Sequence, residues 1–178
     1  MAESVTASPL AAIGAGTWTL DAARSTVAFQ SKSIWGLVTV KGVFTQVSGQ
    51  AKAAGDGTAE GTLVIATASL DTKNAKRDTH LRSADFFDVD KHPEIVFKTS
   101  DVRVSGSDTA DVHGELIIHG VTQPVTFTAK AVGAGADGVT LVADLDVQRA
   151  DYGITFNQLG MMGGTAKISI TAHFTPTR

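Results

Sequence analysis

The sequence has no cysteine among its 178 residues, which excludes disulfides, thiolate nucleophiles and cysteine-based zinc sites. It has no lysine or arginine run and a net charge of −3, so we expect no nucleic-acid partner. No stretch of about 18 apolar residues occurs, so we expect no membrane-spanning segment. No signal peptide is predicted, because Glu3 is acidic and Pro9 and Gly14 interrupt the apolar stretch. We therefore expect a cytoplasmic protein.

Apolar and polar residues alternate along most of the chain, as in half-buried β-strands with one apolar face. The alternation is clearest in three segments, 125–131, 139–147 and 166–174. Five further strands are predicted at 24–32, 36–49, 58–69, 94–104 and 109–119. The alternation changes phase near Thr99–Asp101, which predicts a β-bulge there.

About eight strands must hide the edges of their sheet in a closed barrel or in a sandwich. Strands of about ten residues joined by glycine-containing turns favour the barrel. We predict an all-β, eight-stranded antiparallel up-and-down barrel over residues 17–178, preceded by a flexible N-terminal arm at 1–16. Alternation is lost around residues 74–84, which predicts an inserted short helix capped by Asn74 or Asp71.

The densest group of charged residues is RDTHLRSADFFDVDKHPEIVF at 77–97. One interpretation is catalytic, with Asp78 and His80 as an acid–base pair. The other is that these charges cover the outside of the helix, which places Phe86 and Phe87 over one end of the barrel. The helical spacing also puts Arg77, His80 and Leu81 on one face.

The strand that carries His113, Glu115 and His119 on one face is a candidate metal site. Positions i and i+6 of a strand lie about 20 Å apart at ~3.3 Å per residue, too far for one ion. The opposite face carries Leu116 and Ile118 and is the natural inner face. We predict no metal and no cofactor.

Strand parity directs ten large apolar side chains inward: Phe29, Phe44, Phe97, Leu116, Ile118, Phe127, Leu141, Leu145, Ile168 and Ile170. An eight-stranded barrel is either filled by its side chains or holds one small ligand, and parity does not choose between these. Small inward residues favour open space: Gly42, Gly114, Ala129, Ala143, Ala166 and Ala172. Met161 and Met162 either line a barrel mouth or fill a gap.

Four ordered blocks resemble a known family. They are WTLDAARSTVAF at 18–29, ASLDT at 68–72 with the charged stretch at 77–97, HGELIIHGVTQPVTF at 113–127 and RADYG at 149–153. Over about residues 17–175 the chain resembles the YceI family, lipocalin-like polyisoprenoid-binding proteins of bacteria. The chain departs from the usual family pattern at Arg24, where members commonly carry histidine.

The resemblance implies a lipocalin-like barrel around an apolar tunnel that holds a long isoprenoid, such as a polyprenyl phosphate or a quinone tail. It also implies a role in isoprenoid storage or transport, a link to stress responses, and export of many members. The ligand-binding residues would be the ten inward side chains together with Leu81, Phe86, Phe87, Met161 and Met162.

Head-group contacts are predicted for Arg77, His80 and Arg149, although Arg149 could instead pair structurally with Asp151. We predict a non-enzymatic lipid-binding protein. The alternative is an enzyme acting on an apolar or lipid substrate with Asp78 and His80 as its acid–base pair. The sequence leaves the lipid and the oligomeric state open, a homodimer included.

Overall fold

The computed structural model describes residues 10, 13–135, 137–157, 160 and 162–177. Eleven strands form one antiparallel sheet: β1 (Gly16–Leu20), β2 (Thr26–Ser33), β3 (Val38–Phe44), β4 (Val47–Ala53), β5 (Thr58–Ala66), β6 (Leu70–Asp71), β7 (Glu94–Val104), β8 (Thr109–Ile118), β9 (Val121–Gly135), β10 (Gly138–Gln148) and β11 (Thr165–Pro176). Among the described residues, the α-helix α1 spans Ala75–Arg82. Short 3-10 helices lie at Ala22–Arg24, Thr67–Ser69 and Arg149–Tyr152.

The sheet closes into the predicted eight-stranded barrel once two interrupted strands are counted as one each and the two-residue β6, which pairs with β3, is left out of the count. The 3-10 helix at Ala22–Arg24 separates β1 from β2, and a bend at 45–46 separates β3 from β4. β1 pairs with β4 and β2 pairs with β3, so the two halves follow each other around the wall. β11 pairs with both β1 and β2, which joins the last strand to the first.

The order of strands around the barrel is their order in the chain, so the up-and-down topology is confirmed. The predicted β-bulge is also present, because the register between β7 and β8 shifts between Thr99 and Asp101. A second shift lies opposite it in the pairing of β5 with β7, between Ala59 and Gly61. Such irregularities increase the local twist that a closed sheet requires.

Helix α1 lies in the connection between β5 and β7, as predicted. Asn74 is its N-cap, since the Asn74 side chain accepts a hydrogen bond from the Arg77 backbone N–H. Asp71, the other predicted cap, instead accepts from the backbone N–H of Lys73. The helix ends at Arg82, two residues before the predicted boundary.

Hydrophobic side chains form one cluster near each end of the barrel. At the end opposite α1, Leu10 and Ile13 pack with Trp18. These two contacts come from the segment predicted to be an arm, most of which lies outside the described residues. At the α1 end, Phe86 is buried and Phe87 packs on the same cluster. Within the described ranges, none of the helices has the length and apolar character required to cross a bilayer.

Candidate functional site

The barrel interior contains two cavities, one above the other along the strands. The first lies at the end that carries Trp18 and has a volume of about 200 Å³. Among the predicted ligand-binding residues, four line it: Phe97, Phe127, Leu141 and Ile170. Buried Leu10 lines the same cavity from the N-terminal segment, a contact that strand parity could not reveal.

The second cavity lies at the α1 end and has a volume of about 320 Å³. It brings together eight of the predicted ligand-binding residues: Phe29, Phe44, Leu81, Phe86, Phe87, Ile118, Met162 and Ile168. Met161, the remaining mouth residue predicted from the sequence, lies outside the described residues. The predicted apolar cover therefore reaches the cavity by way of Leu81, Phe86 and Phe87.

A middle layer separates the two cavities. Along β8, Val112 lines the first cavity and Ile118 the second, with Leu116 between them. Along β10, Leu145 likewise lies between residues that line the first cavity and residues that line the second. Leu116 is buried and Leu145 is half-buried against the same core. These two side chains face inward as predicted and border neither cavity, and we call the pair the constriction.

The small inward residues divide into two groups. Gly42 and Gly114 do not border open space, because neighbouring atoms occupy the positions of their missing side chains. A Cβ at Gly42 would overlap the Phe29 ring, and one at Gly114 would overlap the Lys98 carbonyl oxygen, with a ring carbon of Phe97 3.0 Å away. The alanines do border open space: Ala129, Ala143 and Ala172 line the first cavity, and Ala166 lines the second. The expectation from residue size was therefore wrong for the glycines.

Arg77 and His80 lie in the wall of the second cavity, on the face of α1 that the spacing predicted. The Arg77 guanidinium donates to the Thr72 hydroxyl at 2.8 Å and to its carbonyl at 2.9 Å. The His80 ring packs edge-on against Phe86 and Phe156, with ring centroids 5.0 Å apart in each pair. Both side chains are therefore positioned by neighbours while they border the cavity.

Arg149 also lines the second cavity, but its hydrogen bonds are structural. Its guanidinium donates to the backbone carbonyls of Gly163, Ile154 and Phe156 and so holds the connection between β10 and β11. The anticipated pairing with Asp151 is not among its contacts. Burial lowers the pKa of the Arg149 guanidinium from its ordinary value.

The sequence-based acid–base pair does not form. Asp78 is buried and accepts hydrogen bonds from the backbone N–H and the hydroxyl of Thr72. His80 instead places its Nε2 2.8 Å from a carboxylate oxygen of Asp85. Residues i and i+2 of a helix point in different directions, so Asp78 and His80 cannot meet on α1. Arg82 donates to the backbone carbonyls of Ala68 and Leu70, in the chain segment that precedes the helix.

The polar residues of the second cavity are almost all donors. Its described lining includes the basic residues Lys32, Arg77, Arg149 and His80 and contains no carboxylate. Lys32 keeps the outward side chain that its alternating position suggested, since it is exposed and its Nζ donates to the Thr39 hydroxyl at 2.6 Å. The mouth of this cavity can therefore accept a negatively charged group, and the carboxylate in contact with one of these basic residues is Asp85, beside His80.

Other residues of this cavity come from the connection between β10 and β11, which strand parity did not cover. They are Tyr152, Ile154 and Phe156. Tyr152 is buried, and burial, reinforced by the charge of Asp151, raises the pKa of its phenol. The RADYG block, with the apolar and aromatic residues that follow its arginine, was the part of the sequence from which this side of the cavity could have been predicted.

The family model of the YceI-like domain matches residues 18–174 of this chain. A curated UPF0312 protein of Vibrio parahaemolyticus is 37% identical over 116 residues, 62% of this chain and 59% of that protein. A UPF0312 protein of Pseudomonas putida strain W619 is 52% identical over 73 residues, 41% of this chain and 38% of its own length. The chain thus matches less than two thirds of the length of these relatives.

Solved structures share the fold at lower identity. Burkholderia cenocepacia BcnA superposes with a TM-score of 0.79 at 23% identity, over 86% of this chain and 98% of that one. A Saccharophagus degradans domain described as polyisoprenoid-binding and implicated in plant cell wall breakdown gives 0.74 at 21% identity, over 90% of this chain and 98% of that one. At these identities the likeness concerns the fold alone.

Proposed function

Because this chain belongs to the family of YceI-like domains, we propose that it is a non-enzymatic binding protein for an isoprenoid lipid with an anionic head group. The isoprenoid chain would occupy the barrel interior and the head group would lie at the α1 end. The observation that carries this proposal is the composition of the second cavity. Its inner wall is apolar, and its described polar lining includes the basic side chains of Arg77, Arg149 and His80 and no carboxylate.

The apolar chain supplies the affinity in this proposal. Burial of apolar surface contributes about 25 cal/mol per Å² before the costs of ordering the ligand are subtracted. The second cavity takes the part of the chain nearest the head group. A longer chain must pass the constriction of Leu116 and Leu145 to reach the first cavity. Carrying or storing the lipid requires only that the protein bind it, and no catalytic side chain is needed.

The head group determines which lipid class is favoured. A phosphate accepts several charge-assisted hydrogen bonds, whereas a quinone or an alcohol offers only neutral acceptors. Arg77 and His80 border the cavity on α1, and Lys32, whose ammonium donates to the Thr39 hydroxyl, adjoins it on β2. We therefore propose a polyprenyl phosphate or diphosphate rather than a quinone as the preferred class.

The first test is organic extraction of the purified protein followed by mass spectrometry, with an expected yield of a prenyl lipid. The second compares binding of geranylgeranyl phosphate with binding of geranylgeraniol, which lacks the charge. Arg77→Gln should weaken phosphate binding about tenfold to a hundredfold, since a hydrogen bond to a charged group contributes about 1.5–3 kcal/mol. Alcohol binding should change little.

Arg103→Gln is the matched control, because Arg103 is exposed and paired with Asp101 on β7, away from this lining. A protein that is empty on extraction and takes up neither prenyl compound would refute the proposal. Equal loss of phosphate and alcohol binding in Arg77→Gln would instead show that the Thr72 contacts, and not the head group, depend on this arginine.

A further inference from the structure

Three metal-ligating side chains meet beside the α1 end of the barrel, outside the cavity. They are Asp88 and His92, which follow α1, and His119, in the turn between β8 and β9. One ligand atom from each lies within 4.8 Å of the other two, and all three side chains are half-buried. From this geometry we propose that Asp88, His92 and His119 form a site for a divalent transition-metal ion, with Zn²⁺ as the best-matched ion.

The ligand set fits this class of metal. Two imidazoles and one carboxylate are typical of zinc and of other first-row divalent ions, whereas Ca²⁺ and Mg²⁺ prefer oxygen ligands alone. Donor atoms that each lie about 2.0 Å from one zinc ion are about 3.3 Å apart in a tetrahedral site. Modest side-chain rotations would therefore bring the three ligands to the metal, and water would complete the coordination.

The histidine in the β8–β9 turn is held in the tautomer that a metal needs. Nδ1 of His119 lies 3.1 Å from the carbonyl oxygen of Tyr152. Since a carbonyl only accepts, Nδ1 carries the proton and Nε2 keeps its lone pair for a metal. A hydrogen bond of this kind to the second ring nitrogen accompanies most metal-bound histidines.

The backbone brings the ligands together through conformations that most residues avoid. Asp88 has φ of 49° and His119 has φ of 56°, both in the left-handed region. Gly120 follows with φ of 73°, and a Cβ there would lie only 2.8 Å from Cε1 of His92. Glycine at this position therefore permits the His92 ring to approach His119, and their ring centroids are 4.7 Å apart.

The segment after α1 is closed by its own backbone hydrogen bonds. The carbonyl of Asp88 accepts from the N–H groups of Lys91 and His92, which fixes one ligand relative to another. Among the residues that the structure describes, none donates a hydrogen bond to the Asp88 carboxylate or forms an ion pair with it. A half-buried carboxylate in that state retains its capacity to bind a cation.

A metal here would tie the cover of the second cavity to the barrel. Asp88 and His92 belong to the segment that carries Phe86 and Phe87, whereas His119 lies in the turn that joins β8 and β9, two strands of the barrel wall. Binding would stabilise the folded protein through mass action, because the unfolded chain does not keep the three ligands together. The inference does not depend on the proposed lipid, so the two can fail separately.

The test uses tag-free full-length protein, stripped with a chelator and titrated with ZnCl₂ in a calorimeter. We expect one equivalent bound, a rise in Tm, and the intense visible absorption of tetrahedral Co²⁺ when cobalt replaces zinc. Asp88→Asn and His119→Asn should each lower the affinity at least tenfold. Asparagine tolerates the left-handed backbone at both positions, so these variants should keep the fold.

His92→Ala provides a third ligand variant, and His113→Ala is the matched control. His113 is an exposed histidine on β8, and its ring contacts the Thr126 hydroxyl rather than the proposed site. Retained zinc binding in the control, with loss in the three ligand variants, would support the site. A wild-type protein that binds no zinc would overturn the proposal, as would one-equivalent binding unchanged by Asp88→Asn and His92→Ala.

Discussion

Ala143→Phe tests directly whether a prenyl chain continues from the second cavity into the first. Ala143 lies on β10 beside the constriction, between Leu141 in the first cavity and Leu145 in the middle layer. A phenyl group there would fill the inner end of a cavity of about 200 Å³ instead of displacing packed side chains. We therefore expect little loss of stability, in contrast to overpacking of a filled core, which costs about 1–3 kcal/mol.

The effect on binding should depend on chain length. Excluding one isoprene unit of five carbons removes up to about 4 kcal/mol of gross burial at ~0.8 kcal/mol per carbon. Ordering costs reduce this, so we expect a net loss of about 1.4–3 kcal/mol, tenfold to a hundredfold in Kd, for a geranylgeranyl chain. A geranyl chain of half that length should be accommodated by the second cavity, with its Kd unchanged.

The assay can use the chain's own fluorescence. Trp18 is buried and lines the first cavity, whereas Trp35, the only other tryptophan, is 68% exposed in the turn between β2 and β3. In a Trp35→Phe background, Trp18 emission reports whether a ligand reaches the first cavity. Long chains should change this emission and short chains should not, and Ala143→Phe should abolish the change.

Asp144→Phe is the control, because Asp144 is the exposed neighbour of Ala143 on the outer face of β10. Two results would refute the reasoning. One is an equal loss of affinity for geranyl and geranylgeranyl phosphate in Ala143→Phe. The other is undiminished binding of the long chain together with an unchanged Trp18 response, since the ligand would then lie elsewhere.

Two further predictions concern the wall of the barrel and its buried phenol. Gly42→Ala should lower the free energy of unfolding by about 1–3 kcal/mol, because the added Cβ would overlap the Phe29 ring. Gly133→Ala is the control and should change this free energy little, since a Cβ there has no neighbour within 4 Å. Denaturant titration measures both. Tyr152 is the only tyrosine, so phenolate absorbance reports its ionisation. Burial, and secondarily the charge of Asp151, raise the pKa of this phenol in the folded protein. The contribution of Tyr152 to the free energy of unfolding should therefore be complete below pH ~10, the ordinary pKa, and should be lost as the pH rises through the folded-state pKa. A phenol that ionises at its ordinary pKa would contradict this.

Some features of the site were predictable from residue spacing alone. Asn74 could be recognised as a helix cap, and the i, i+3, i+4 spacing put Arg77, His80 and Leu81 on one face. Other features required the tertiary structure. His92 and His119 are separated by a strand pair and a turn, and their proximity depends on backbone conformations that no local pattern encodes.

The division of the barrel interior into two cavities could not be predicted from the alternation of side chains along the strands either. Parity states only that a side chain points inward, and it held for Phe29 and Phe97. Whether an inward position borders a cavity depends on the neighbouring strands. The space beside Gly42 is occupied by the Phe29 ring of β2, and Gly114 lies close to the Phe97 ring of β7. Ala143, in contrast, borders the first cavity.

Residue spacing alone predicted most of the strands, the bulge at Thr99–Asp101 and the position of α1, whereas β1 was not among the predicted strands. The features that were predicted follow from local periodicity and capping, which act between residues close in the chain. The tertiary structure was needed to place Leu116 between the two cavities, to bring Arg77 and Arg149 to the same cavity, and to put Asp88 beside His119. Closure of the barrel sets these relations, because it fixes which distant side chains share one space.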